Sequence, residues 1–216
     1  ATSAASAVLV RRGLASATSA AKRRRTKAEL EEVVEVVEGV DGACASAPVQ
    51  MMEFYSKSRL ADDLKIGVAH WRRLLSNFTP VDPPLSFRGR RYPTVEHAFQ
   101  AAKYDLVGSE GLAARFALGG ELATASAQAA KKAGGRRAFR ESGAAPLDLH
   151  AWSNAADGVM MEVLRARMEA DVDFCRVLRA SKSQGVYLLH FERTGAKSYW
   201  GGCREKASGK VVGRNR

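Results

Sequence analysis

The sequence is poor in the residues that fasten disulfide-bonded or metal-dependent domains. Its 216 residues hold three cysteines, Cys44, Cys175 and Cys203, and no CxxC pair. An odd number at such spacings gives no disulfide framework and suits a reducing compartment. Four scattered histidines supply no zinc-type spacing, so neither a metal nor a cofactor is expected. No apolar run approaches the ~18 residues of a membrane span. The GxGxxG and Walker patterns are missing too. Gly108 to Gly120 and Gly134-Gly135-Arg136-Arg137 read instead as connections between helices.

Acid is also missing from one end. Seven of the 34 bases fall in residues 1–27, where no acid occurs, and the remaining 27 nearly balance the 23 acids. The formal charge of +11 is therefore mostly a property of the N-terminal arm. A hydrophobic share of 46% with three Trp is enough for a packed core.

Residues 1–25 are rich in Ala, Ser and Thr and carry Arg11, Arg12, Lys22, Arg23, Arg24 and Arg25. That composition is expected of an organellar transit peptide; a permanent arm that neutralises RNA phosphates is the competing reading, and a disordered solubilising tail is the blander one that composition alone favours. A mitochondrial matrix location follows as the expectation, with a plastid as the alternative. Residues 26–50 read as a short helix and a linker. Thr26 and Glu29 form a capping box, Leu30, Val33, Val34 and Val37 make an apolar stripe, and Gly39 supplies the stop.

Residues 51–216 read as one domain. Met52 to Ser56 is expected as a strand, Leu60 to His70 as an insertion or surface helix, and Leu85 to Tyr92 as a hairpin broken at Gly89. Pro93-Thr94 then opens a helix whose Val95, Ala98, Phe99 and Ala102 recur at the spacing of an inward face. Glu96, Gln100 and Lys103 share a second face, which on spacing alone reads as a solvated stripe. A further helix runs from about Trp152 to Ala170 with Val159, Met160, Val163, Leu164 and Met168 inward. A second helix through Val172, Cys175 and Leu178 follows, and Val186 to Phe191 is an apolar, central strand. The basic cluster Lys131, Lys132, Arg136, Arg137 and Arg140 reads as a solvated face that can extend a phosphate-binding surface.

Several blocks recur in one order: Phe54-Tyr55-Ser56, Leu75-Ser76-Asn77-Phe78, Tyr92 through Lys103, Trp152 ahead of Val159-Met160, Tyr199-Trp200-Gly201, and Gly213-Arg214-Asn215-Arg216. Together they resemble the NADAR superfamily, whose best-known members are riboflavin-intermediate N-glycosidases. The resemblance implies a mostly helical α+β domain with a small sheet and a cleft for a ribosyl phosphate or an ADP-ribose-like ligand. It implies Glu96 as the working carboxylate, beside the oxocarbenium-like centre of N-glycoside hydrolysis. Gln100 and Lys103 are implied to bind ligand oxygens or phosphate, with Asn77, Phe78, Trp152, Tyr199 and Trp200 lining the site.

The sequence departs from that pattern in three places. Lys197 stands where the family carries an acid ahead of Tyr-Trp-Gly, and an ammonium there is expected to reverse the local field. Ala156 stands where a Lys is usual. Members continue beyond Asn-Arg into a closing helix, so the expectation is either a clipped C-terminus or an absent last helix, with one wall of the cleft then missing. On these grounds the expectation is a catalytically degenerate fold. It would serve as a basic subunit bound to RNA and neighbouring proteins of an organellar assembly, the mitochondrial ribosome foremost. The alternative is an active N-glycosidase using Glu96.

Overall fold

The structure, a computed structural model, describes residues 50–61, 64 and 66–216. The basic arm and the helix expected after Thr26 lie outside the described residues. Strand β1 (Gln50–Phe54) opens the described chain, two residues ahead of the expected start. The stretch Leu60 to His70 forms turns and bends, with no helix among its described residues. Nor does it lie wholly at the surface, because Leu64 and Val68 are buried. A single helical turn, α1 (Trp71–Leu74), buries Trp71 completely.

The expected hairpin forms from β2 (Leu85–Phe87) and β3 (Arg90–Tyr92). Gly89 sits in its turn at φ 76°, a left-handed conformation that glycine adopts without a Cβ penalty. Thr94 then caps α2 (Val95–Leu106), its hydroxyl accepting from the His97 N–H, a contact worth about 1 kcal/mol. Short helices α3 (Glu110–Ala114), α4 (Ala127–Ala133) and α5 (Arg136–Glu141) follow.

Asp148 caps the long helix α6 (Leu149–Ala170), which starts three residues before the expected Trp152. Its inward face holds Val159, Met160 and Val163, with Leu164 half-buried, whereas Met168 is exposed. Helix α7 (Val172–Ser183) corrects the expected register more sharply. Its buried face is Phe174, Val177 and Ser181, while Val172 is 65% exposed and Cys175 only half-buried. Asp171 caps this helix and Val172 is its first residue, so it begins on the solvent side. The inward stripe therefore starts two positions later.

Strand β4 (Val186–His190) pairs in parallel with β1. The Phe191 N–H continues to the Phe54 carbonyl at 3.0 Å, and the Glu192 N–H turns the other way to Gly202 at 2.9 Å. Alternate N–H groups of a strand point to opposite edges, so the chain at β4 lies between β1 and the hairpin β5 (Gly202–Arg204) and β6 (Val211–Gly213). Asn215 closes the second edge. Its Oδ1 accepts from the His190 N–H at 2.8 Å and its Nδ2 donates to the Leu188 carbonyl at 3.0 Å. The result is a mostly helical α+β fold with small two-stranded sheets.

Two apolar clusters make up the interior. One surrounds α2 and draws on Leu85, Tyr92, Val95, Phe99, Tyr104, Phe116 and Val163. The other surrounds Trp71, with Met52, Leu64, Phe174, Val177 and Val186. Leu164 packs against both.

Arg167 ties the loop after α1 to the α6–α7 joint. It is fully buried, donates to the Leu74 and Ser76 carbonyls at 2.6 and 2.9 Å, pairs with Asp171 at 3.1 Å, and lies 4.3 Å from the centre of the Phe174 ring. Removing one partner of a buried pair strands the other in a medium that solvates charge poorly. Arg167→Ala is expected to lower unfolding free energy by about 3–5 kcal/mol, measured by urea denaturation. A loss under about 1 kcal/mol, as for exposed pairs, would show that water reaches this site.

Candidate functional site

Helix α2 is buried on almost every side. Glu96, His97 and Gln100 are all under 7% exposed, so the charged face is not a solvated stripe. Each of these polar side chains has a partner, as burial demands. His97 is fully satisfied: its Nε2 donates to the Leu122 carbonyl at 3.1 Å and its Nδ1 accepts from the Thr94 hydroxyl at 2.8 Å. It is a structural residue.

The other face forms a relay. Lys103 Nζ donates to Gln100 Oε1 at 2.5 Å and to the Gly134 carbonyl at 3.0 Å. An ammonium has no acceptor, so Gln100 must turn its oxygen toward Lys103. Its Nε2 is thereby aimed at Glu96 Oε1, 2.7 Å away. The Glu96 N–H is in turn taken by the Asn77 carbonyl at 3.0 Å, which fixes the start of the helix against the Leu75–Phe78 segment.

Burial sets the electrostatics of this relay. It pushes the Glu96 carboxyl above its ordinary range, while Gln100, Lys131 and Lys103 pull it back. Burial likewise lowers Lys103 to about 8, with Glu96 opposing and Lys131 adding to the shift. The Lys103 ammonium also lies 5.9 Å from the Phe99 ring centre and 5.7 Å from that of Trp152, a cation–π geometry that offsets part of the burial.

These residues open onto a cleft of about 1360 Å³. All eight residues singled out in the sequence line it: Glu96, Asn77, Phe78, Gln100, Lys103, Trp152, Tyr199 and Trp200. Phe99 organises the aromatic part, with Trp152 at 5.1 Å and Trp200 edge-on at 5.5 Å. Tyr199 is less free to stack on a ligand. Its hydroxyl donates to Asp157 Oδ1 at 2.7 Å, Trp200 meets its ring edge-on, and the Arg214 guanidinium lies 5.2 Å over that ring. Ala156 is buried and puts a methyl on the cleft wall where the resemblance implies a Lys.

Lys197 is exposed and is not among the residues that line the cleft. A second carboxylate does line it: Glu192, which follows β4. The Ser198 hydroxyl donates to Glu192 Oε2 and accepts from the Gly201 N–H at 2.9 Å. A Cβ at Gly201 would meet the His190 carbonyl at 2.7 Å, so only glycine lets this loop lie so close to β4.

No protein-family model and no curated protein matches the chain. Among solved structures, it is similar to the NMR structure of the E. coli protein YbiA. The identity is 23% over 72% of this chain and 74% of that one, with a TM-score of 0.47.

Sequence reasoning left some cleft residues unassigned. Lys131, Arg136 and Arg140, part of the basic cluster, line the cleft with Arg193. None of the four makes a salt bridge among the described residues, whereas Arg137 of the same cluster pairs with Glu141 at 2.8 Å. The clustering of these bases is legible in the sequence; which of them face the cleft is not. His190 was hidden in an apolar strand, and Gly134 in what reads as a plain connection. A Cβ at Gly134 would come within 2.1 Å of Gln100 Oε1.

Two outcomes follow. Gly134→Ala is expected to displace Gln100 and break the relay, moving the Glu96 titration further above its ordinary value because the amide that opposes burial is lost, as read by NMR. Lys103 titrates near 8 folded against 10.5 ordinarily, so between those pH values the unfolded chain binds the extra proton. Its contribution to stability therefore rises with pH across that window. Lys103→Met is expected to remove this rise from urea-denaturation curves taken from pH 7.5 to 10.5; an unchanged slope would assign the rise to another group.

Proposed function

We propose that the chain hydrolyses the N-glycosidic bond between a ribosyl phosphate and a heterocycle. The observation that carries this reading is the pair of carboxylates, Glu96 from α2 and Glu192 from the segment after β4, in one aromatic-walled cleft. The ordered blocks that resemble the NADAR superfamily support the same reading.

In the reaction, water oxygen bonds to C1 of the ribose as the C1–N bond breaks. The bonding pair leaves with the heterocycle nitrogen, which takes a proton. Positive charge develops at C1 and the ring oxygen. A carboxylate stabilises that charge or removes the proton from water. Glu96 suits proton removal, because burial raises its proton affinity while Gln100 holds it in place. Glu192 places a second negative charge in the same cleft. Lys131, Arg136, Arg140 and Arg193 line it with cations suited to phosphate oxygens. The aromatic group around Phe99 supplies flat surface for the heterocycle.

The reading of the chain as a subunit of an organellar ribonucleoprotein rests on residues 1–27, outside the described residues. It makes a different prediction. Co-sedimentation of the native protein with a ribonuclease-sensitive, ribosome-sized particle, with no release of heterocycle, would restore it.

The direct test is chromatographic detection of free base released by the full chain from ribosylated pyrimidine phosphates and from ADP-ribosylated guanine. Glu96→Gln is expected to lower kcat/KM by about 10²- to 10⁴-fold, with thermal stability kept. A base with raised proton affinity must be ionised to work, so the acid limb of the rate profile should lie above the ordinary 4.5 of a glutamate. Full activity in Glu96→Gln would sink the assignment.

A further inference from the structure

One titratable side chain of the cleft has no part in the chemistry above. His190 ends β4, is half-buried and lines the cleft. Its ring stacks on Phe54 with centroids 5.1 Å apart and 17° between planes. Its N–H is held by Asn215 Oδ1 at 2.8 Å, so the backbone beneath the ring is fixed. Nδ1 lies 3.3 Å from the Trp200 carbonyl. A carbonyl only accepts, so Nδ1 carries a proton.

The second ring nitrogen decides what the residue can do. No hydrogen bond to Nε2 of His190 occurs among the described residues, in contrast to His97, both of whose nitrogens are used. Burial holds the imidazole below its ordinary range; the Trp200 carbonyl and Glu192 oppose that shift and Lys131 adds to it. The ring is therefore neutral near pH 7, and Nε2 is a bare acceptor. An acceptor that a ligand covers and leaves unmatched disfavours any ligand that brings no donor to it. Trp200, whose carbonyl fixes the ring, also borders the aromatic group that offers flat surface. The donor therefore belongs to the flat part of the ligand.

We infer that His190 is a specificity-determining residue, its Nε2 accepting a hydrogen bond from an amino N–H on the ligand's heterocycle. This inference deepens the glycosidase reading by naming a chemical feature of its substrates. It needs no turnover to be tested.

The experiment compares two probes that differ by one amino group, adenosine 5′-monophosphate and purine riboside 5′-monophosphate, by calorimetry on the full chain. Wild type is expected to bind the amino nucleotide about three- to tenfold more tightly, the range of one net hydrogen bond. His190→Phe keeps an aromatic ring on Phe54 and removes the acceptor. It should bring the ratio to about one. A second readout uses wild type alone. The ¹⁵N resonance of Nε2 should shift with the amino nucleotide and stay in place with the other, which decides the matter even if the variant does not fold. Equal binding of the two probes by wild type, no binding of either, or preference kept in the variant would overturn the inference. So would a preference lost on removing the 2′-hydroxyl instead, which would put the donor on the sugar. Hydrolysis without discrimination sinks this assignment alone, and discrimination without hydrolysis sinks only the glycosidase reading.

Discussion

The structure depends on carrying an acid, an amide and an ammonium into the interior on one helix. Charged groups taken out of water cost several kcal/mol each unless they are paired and hydrogen-bonded. Helix α2 meets this demand by linking the three in series, ammonium to amide oxygen and amide nitrogen to carboxylate, at 2.5 and 2.7 Å. The order is forced. Lysine only donates and an ionised carboxylate only accepts, so the amide between them has one orientation. Much nearby architecture follows from that. Gly134 must lack a side chain because its carbonyl completes the Lys103 shell while its Cα lies against Gln100. Asn77 must sit where its carbonyl takes the Glu96 N–H.

The same constraint marks what the sequence makes legible. The α2 start, its capping threonine and its apolar positions are local properties, written in Pro93-Thr94 and the spacing of Val95, Ala98, Phe99 and Ala102. The polar face carries the same i, i+4 and i+7 pattern whether it meets water or protein. Periodicity alone reads it as solvated, and only tertiary packing shows otherwise. Helix α7 fails for a related reason. Val172, Cys175 and Leu178 recur at a plausible spacing, but it is Phe174 and Val177 that pack into the cluster around Trp71. Leu60 to His70 misleads in the other direction. It reads as an insertion or surface helix, yet Leu64 and Val68 pack into the cluster around Trp71.

The site itself divides along the same line. The resemblance assembled eight cleft residues from separate blocks, and the fold brings all of them to one wall or another of the cleft. It gave no access to residues whose roles come from neighbours. Glu192 stands out as a second acid only once Lys197 is seen to be exposed and Ser198 to bind the Glu192 carboxylate. Aligning an acid to position 197 treats the local field as a property of one residue. The field in a cleft is summed over every charge that lines it, and the charges that line this one include two carboxylates and at least five cations.

The two carboxylates also rest on different supports, which bears on how the site is held. Glu96 belongs to the cluster around α2, and Glu192 follows a strand whose Val186 packs into the cluster around Trp71. Their relative position is therefore no better defined than the packing between the clusters, which share Leu164, and the joint held by Arg167. On the β4 side the last restraints are Asn215 on the strand edge and the Ser198 hydroxyl on Glu192 itself. Both come from loop residues in the final twenty positions, where few apolar contacts oppose local opening. Loss of alignment at Glu192 thus requires only the C-terminal hairpin to open, whereas loss at Glu96 requires the core around α2 to unfold. The buried acid thus sits on the core helix, and the half-buried one on the segment that can yield.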